Sequence, residues 1–281
     1  MICRSFRIGR CLPVFALVLI STNSAAYTLQ YAGSGDVIRW QESCFHYSIH
    51  EEGLSGIDAA DLHDSIRASF DAWEDVDCSY FYFVETDDAA CDDIGYVDDT
   101  GNMNLLVFRT ENWEVDRDHD SSAIALTTTS WDDLSGRLLD ADIEFNAEYF
   151  KFGVDGASNL VDIQNTATHE IGHMIGLDHT DQSGATMYPT AGTGDVDKRS
   201  LSSDDENGLC DLYPDADDPD VCKEPHCGLD LTCTGTTCDK SGIAYYAPQD
   251  DTGCSAAGSV GAREPSRLLR VALAIVFGEV R

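Results

Sequence analysis

The stretch His169-Glu170-Ile171-Gly172-His173-Met174-Ile175-Gly176-Leu177-Asp178-His179 carries three histidines at fixed spacing. Residues four apart share a helix face, so His169 and His173 are predicted to present their imidazoles to one metal ion. Gly176 allows the helix to end in a sharp turn, because glycine adopts backbone angles that other residues resist. The turn would bring His179 round as a third ligand. Three neutral imidazoles hold zinc and leave a fourth position for water, which is the arrangement of catalytic zinc sites.

Glu170 follows the first histidine and is predicted to point to the open side of the metal. Zinc lowers the pKa of a water toward ~7 and polarises a carbonyl. Glu170 would take the proton from that water and pass it to the leaving amine. The alternative is an ordinary core helix on which three histidines meet by chance. The extended motif fixes five residue identities in eleven positions, which favours the metal site.

Three further stretches accompany this motif: Met187-Tyr188-Pro189 after it, Ala141-Asp142-Ile143-Glu144-Phe145-Asn146 before it, and Leu201-Ser202-Ser203-Asp204-Asp205 leading into Leu212-Tyr213-Pro214. Together they resemble the metzincin zinc endopeptidases, and within that clan the matrixins, the matrix-metalloproteinase-like group. The resemblance covers about residues 36 to 214. It implies an α+β catalytic domain with a twisted five-stranded mixed sheet and three helices. It also implies a monomer that cleaves protein or peptide substrates with one catalytic zinc.

The resemblance further assigns roles around the metal. Met187 would lie in a turn beneath the zinc and form a soft hydrophobic floor. Tyr188 and Pro189 would form the outer wall of the pocket for the residue after the cut. Tyr188 is not predicted to bind the metal, because it follows the methionine directly and not two residues later. The strand around residues 123–127 would be the edge against which an extended substrate pairs.

Two features depart from the matrixin pattern. The histidine-rich loop for a structural zinc is missing; only His119 is present, among aspartates, and it is interpreted as part of a solvated loop. No cysteine-switch segment is recognised before residue 36, and Cys44 is interpreted as part of a strand. The remaining histidines of this region and beyond lack partners at ligand spacing and are interpreted as surface or core residues: His46, His50, His63 and His226.

Five strands and three helices are predicted from the periodicity of apolar residues. The strands are residues 45–49, 80–86, 104–109, 123–131 and 138–146, and the helices are 58–76, 162–177 and 202–213. The protease domain is predicted to span 27–214, followed by a Pro- and Asp-rich linker at 215–221 and a Cys-rich segment at 222–253.

Residues 1–26 are typical of a secretory signal, with a basic start, a short apolar core and small residues at its end. An uncleaved anchor is the alternative. A secreted chain favours disulfides, so eight cysteines are predicted to be oxidised, the last four among themselves: Cys44, Cys78, Cys91, Cys210, Cys222, Cys227, Cys233 and Cys238. A second metal site in the last four is the alternative, but they lack the Cys-x-x-Cys pairs of a zinc ribbon.

The net charge of −34 excludes nucleic acid and anionic lipid as partners, because such a surface repels them. Simple solubility accounts for this charge. The alternative is that some of the carboxylates bind Ca2+.

Residues 254–281 are predicted to form a tail. It begins at Cys254 within the stretch Gly253-Cys254-Ser255, and Arg263, Arg267 and an apolar run from 268 to 277 follow. This order resembles the C-terminal sorting tail of myxobacterial surface proteins, a bacterial secreted type, in which the cysteine becomes the attachment point. Cys254 would then hold the enzyme at the cell surface. A plain tail with a spare thiol is the alternative, because ten residues cannot span ~30 Å of hydrocarbon as a helix.

The predicted function is therefore that of a secreted, extracellular zinc endopeptidase. A non-catalytic adhesion or binding module on the same scaffold is the alternative from another functional class. The presence of Glu170 argues against that alternative, because a module that does not hydrolyse peptides has no need of a base. A metzincin of another branch would have the same chemistry.

Overall fold

The computed structural model describes residues 26–86, 88–90, 92–96, 103–114, 119–219, 232–234, 237–239 and 268–278. The predicted signal, apart from its last residue, lies outside these ranges, as do Cys254 and most of the Cys-rich segment. The described residues form an α+β domain, as predicted. No helix among them is both long enough and apolar enough to cross a membrane.

The helices are α1 (Ala59–Glu74), α2 (Ile163–Met174) and α3 (Ser203–Leu212). The strands are β1 (Thr28–Leu29), β2 (Cys44–Ile49), β3 (Tyr82–Glu85), β4 (Asn104–Arg109), β5 (Ala123–Asp132), β6 (Leu138–Asn146), β7 (Phe152–Gly153), β8 (Val161–Asp162), β9 (Leu177–Asp178), β10 (Thr190–Ala191), β11 (Thr232–Thr234), β12 (Thr237–Asp239) and β13 (Leu268–Phe277).

The main sheet has seven strands in the order β10-β13-β5-β6-β4-β2-β3. The five predicted strands, β2 to β6, all form and are adjacent. The predicted count of five strands is wrong for the sheet as a whole, because β10 and β13 extend it beyond β5. β13 runs antiparallel to β5 and parallel to β10. It comes from the apolar run that the sequence places in the tail.

Helix α1 packs on the sheet through an apolar face at helical spacing. Leu62, Ile66, Phe70 and Trp73 are each at most 2% exposed, and burying each side chain contributes about 1.5–3 kcal/mol. Asp58 caps the helix by accepting a hydrogen bond from the Ala60 amide at 3.0 Å. The Trp73 indole donates to the Thr168 carbonyl at 2.8 Å. Helix α1 therefore supports α2, which carries the histidine motif.

A disulfide between Cys78 and Cys210 connects the segment after α1 to α3. Cys44 is also disulfide-bonded. The predicted oxidation of the cysteines is confirmed for these three residues. Cys233 and Cys238 are partners in the register of the β11–β12 hairpin, but pairing within the Cys-rich segment stays a prediction.

The interpretation of His119 as part of a solvated loop is wrong, whereas that of His63 as a surface or core residue is not contradicted. The His119 side chain is only 13% exposed, and its Nε2 lies 3.1 Å from Oε2 of the fully buried Glu144. His119 is therefore part of a buried polar network and not of a solvated loop. His63 lies 3.2 Å from Glu85 and 3.6 Å from Asp88. Arg67 also donates to Glu85, so the His63 group forms an ion-pair cluster.

Candidate metal centre

Helix α2 is held at its start by Asp162 and ends in a glycine turn. The Asp162 carboxylate accepts from the Asn165 amide at 2.9 Å and from Arg199 Nε at 2.8 Å. Gly176 has a φ of 104°, and a Cβ there would lie 2.3 Å from the Ile38 carbonyl oxygen. Only glycine fits this turn without strain. The turn leads directly into β9 and His179, as the motif predicts.

The three motif histidines converge. His179 Nε2 lies 3.2 Å from His169 Nε2 and 3.1 Å from His173 Nε2, and all three ligand atoms lie within 4.8 Å of one another. Tetrahedral zinc with bonds of about 2.0–2.1 Å places its nitrogens about 3.3 Å apart. The separation of these Nε2 atoms therefore fits a single zinc ion.

Hydrogen bonds fix the tautomers of two of these rings. His169 Nδ1 donates to the Thr186 carbonyl at 2.6 Å, and His173 Nδ1 donates to the Leu177 carbonyl at 2.9 Å. The Nε2 lone pairs consequently face the common centre. Burial lowers the pKa of His173 to about 3 and lowers that of His169 well below its ordinary value. Both imidazoles are therefore kept neutral, which is the form that binds a metal.

Glu170 is fully buried next to this centre, and its carboxylate has two partners. Thr127 Oγ1 of β5 donates to Oε2 at 2.6 Å, and the Ile275 amide of β13 donates to Oε1 at 3.1 Å. Burial raises the pKa of Glu170 to about 7. A carboxyl group with a pKa near neutrality can both accept and release a proton at physiological pH.

Met187 lies in a buried turn packed against α2. A Cβ on Gly172 would lie 2.2 Å from the Met187 sulfur, so a larger side chain there would displace the methionine. The Asp205 carboxylate accepts from the amides of Thr186 and Met187 at 2.8 and 3.0 Å. The same carboxylate completes a capping box with Ser202 at the start of α3. Asp205 thus anchors the methionine turn to α3.

Lys198 holds the other side of that turn. Its buried ammonium donates to the carbonyls of Thr186, at 2.8 Å, and Tyr188. Burial lowers the pKa of Lys198 to about 8. The Thr186 carbonyl is also the acceptor for His169, so Lys198 acts on a ligand histidine through one shared oxygen.

The space between β5 and β10 beside the metal centre is occupied by β13. The Pro189 carbonyl accepts from the Val276 amide of β13 at 3.0 Å, and Tyr188 is half-buried. The role of both residues as a pocket wall stays a prediction. The predicted edge at residues 123–127 is present as part of β5. The prediction of a free edge there is wrong, because β13 pairs with β5 along its length.

Comparison with known families identifies the domain. The sequence profile of the matrixin family matches residues 39–214. This chain belongs to the matrixin family. The match to this matrixin covers all three helices, the motif histidines and the methionine turn.

Individual relatives align over shorter parts of this matrixin. Human matrilysin is 44% identical over 59 residues, which are 21% of this chain and 22% of the relative. Metalloendoproteinase 2-MMP of Arabidopsis thaliana is 32% identical over 116 residues, 41% of this chain and 26% of the relative. Mouse matrilysin is 38% identical over 79 residues, 28% of this chain and 29% of the relative. The chain thus spans less than a third of each relative's length.

Sequence reasoning located the residues of the motif but missed the residues around them in this matrixin. The structure adds contacts from Thr127, Gly172, Lys198, Asp205 and Ile275. Asp205 had a local signal, because an acidic residue three positions after Ser202 predicts a helix cap. The other four have no local signal, since each is defined by a contact with a distant element.

Proposed function

We propose that this matrixin is a secreted zinc endopeptidase that hydrolyses peptide bonds of extracellular proteins. The convergence of three Nε2 atoms beside the buried Glu170 carboxylate is the observation that carries the proposal. Its membership of the matrixin family supports it. The names matrilysin and metalloendoproteinase of its relatives agree with the same class of reaction.

His169, His173 and His179 would hold the zinc through Nε2. When bound, zinc supplies a Lewis acid for the scissile carbonyl and lowers the pKa of a water toward ~7. The Glu170 carboxylate would take a proton from the attacking water and deliver it to the leaving nitrogen. Thr127 orients that carboxylate through its 2.6 Å hydrogen bond to Oε2. Met187 would serve as the floor beneath the ligands, and Tyr188 and Pro189 as the outer wall of the adjoining pocket.

The experiment that tests this function compares Glu170→Gln with Glu206→Gln in the full chain. Glu206 is an exposed residue of α3 and provides the matched control. Removing a general base typically lowers the rate by about 10²–10⁴-fold. Glu170→Gln should therefore lower kcat/KM for a casein-type substrate by that factor and retain its zinc, while Glu206→Gln stays at wild-type activity. Wild-type cleavage by Glu170→Gln would contradict the proposed mechanism.

Export and attachment are further parts of the proposal. Residues 1–26 would direct a bacterial enzyme out of the cell, and Cys254 would be its attachment point at the surface. The odd number of cysteines after residue 26 supports this role, because Cys254 has no partner left if the other eight form the four predicted pairs. Cys254→Ala should then release the protease into the medium, as measured by immunoblotting of cells and supernatant. A wild-type protein found wholly in the medium, with residues 255–281 still present by mass spectrometry, would contradict the attachment.

A further inference from the structure

Strand β13 occupies the position at which an extended peptide would be bound. It pairs antiparallel with β5 from Leu268, opposite Asp132, to Val276, opposite Ala123. At its other edge it pairs in parallel with β10, where Thr190 is opposite Val276. Without β13, the outer edge of β5 would present unpaired amides and carbonyls beside the metal centre, which is a site for strand addition by a peptide.

The contacts at the metal end of β13 reach both walls of the groove between β5 and β10. The Val276 amide donates to Pro189 at 3.0 Å and the Gly278 amide to Ala191 at 2.9 Å. On the opposite wall the Phe277 amide donates to Ser122 at 2.9 Å. Ile275 is completely buried as part of the hydrophobic core, and its amide faces Glu170. The groove is therefore closed by main-chain pairing on two sides.

One main-chain amide of β13 binds the Glu170 carboxylate directly. A carboxyl group that protonates a leaving nitrogen must lie within hydrogen-bond reach of it. The Ile275 nitrogen lies 3.1 Å from Glu170 Oε1 and meets this condition. The Ile275 amide thus occupies a hydrogen-bonding position on Glu170 that the leaving nitrogen of an external peptide would need.

Charge and aromatic contacts also hold the segment in place. The net charge of the chain is −34, whereas four arginines and two glutamates follow Cys254. Arg270 donates to the Tyr96 carbonyl, at the far end of β13 from the metal centre. The Phe277 ring packs against Phe150 with centroids 5.6 Å apart. A basic segment is attracted to an acidic domain, and these two contacts fix it at both ends.

We propose that residues 268–278 are an intramolecular inhibitor that occupies the substrate groove and holds the peptidase closed. That this segment inhibits peptide cleavage rests on the proposed function. A tethered strand has an effective concentration far above that of an external peptide, so a substrate must displace it before it can bind. The apparent KM then rises by the inverse of the fraction of molecules whose groove is open, while kcat is unchanged.

The test compares the full chain with a chain that ends at Arg267. Intact mass is measured first, so that each preparation is known to carry or lack the segment. An open fraction of about 1–10% in the full chain predicts a KM about 10–100-fold lower in the shortened chain with the same kcat. A chain ending at Gly278 retains the whole segment and should behave like the full chain. Equal KM values in all three chains would contradict the inhibitor.

A pair of point variants keeps the test independent of truncation. Ile275→Asp places a charge in a fully buried position and should lower KM by at least about tenfold, because burying an unpaired charge is strongly unfavourable. Val271→Asp makes the same kind of change in the same strand at a residue that is 41% exposed. It should leave KM within about twofold of the full chain. Equal effects of the two variants would contradict the buried register.

Amide hydrogen exchange measures whether β13 covers β5, and it does not depend on catalytic activity. The β5 amides that face β13 should be protected in the full chain and should exchange at least about tenfold faster in the chain ending at Arg267. If neither chain cleaves peptides but exchange differs, the proposed function fails and the groove is still occupied. If both chains cleave peptides with equal KM and exchange does not differ, the proposed function stands and the inhibitor does not.

Discussion

The Thr186 carbonyl oxygen illustrates how single residues position the metal centre. It accepts the 2.6 Å hydrogen bond of His169 Nδ1 and the 2.8 Å hydrogen bond of Lys198 Nζ. The Met187 amide of the same peptide unit donates in turn to Asp205 at 3.0 Å. One peptide unit between a cation and a carboxylate therefore sets the orientation of a ligand histidine. Such outer partners of metal ligands typically change metal affinity by 10–100-fold when they are replaced.

Lys198→Met is predicted to weaken zinc binding by about 10–100-fold, because the carbonyls of Thr186 and Tyr188 would lose a buried donor. The same loss should lower the free energy of unfolding by about 1–3 kcal/mol. Competition with a chelator of known affinity measures the first effect and urea unfolding the second. Lys151→Met, at an exposed lysine, is the control and should change neither quantity. Unchanged zinc affinity in Lys198→Met would contradict its positioning role.

At the scale of elements, periodicity predicted the parts of the fold that bury an apolar face. Strands β2 to β6 and helices α1 to α3 form within about three residues of the predicted bounds. Helix α2 ends at Met174, three residues before its predicted end, because the turn at Gly176 follows directly. The strands of two residues were missed, since two residues show no alternation. Strand β13 was missed because its pairing with β5 joins residues more than a hundred positions apart.

The metal centre also divides into parts that local sequence patterns predict and parts that depend on long-range contacts. Its three histidines lie within eleven residues, so local helix geometry was enough to bring them together. Thr127 reaches Glu170 from β5, and Ile275 reaches it from β13. Both contacts depend on how the sheet packs against α2, which no local pattern encodes. The edge of β5 was predicted to be open to a substrate because no local pattern shows that β13, more than a hundred residues later, pairs with it.

At the scale of the whole molecule, the metal centre and the strand proposed to cover it come from separate parts of the chain. The metal centre is built within residues 127–205 by α2, its glycine turn and the methionine turn. The occupant of the groove comes from residues 268–278 and carries a charge opposite to that of the domain. Removal of the occupant should therefore alter access to the centre without altering its zinc. The predicted zinc stoichiometry is the same with and without the tail strand.

Native mass spectrometry of the purified full chain in the presence of zinc tests the central claim most directly. The account predicts one tightly bound zinc ion per chain. Of the two groups of possible metal ligands among the described residues, only His169, His173 and His179 consist of three imidazoles. The other group, His63, Glu85 and Asp88, already pairs with Arg67. His169→Ala should lose that ion, whereas His63→Ala, in the ion-pair cluster on α1, should keep it. A wild-type chain with no zinc or with two, or a His169→Ala chain that still binds one tightly, would contradict the account.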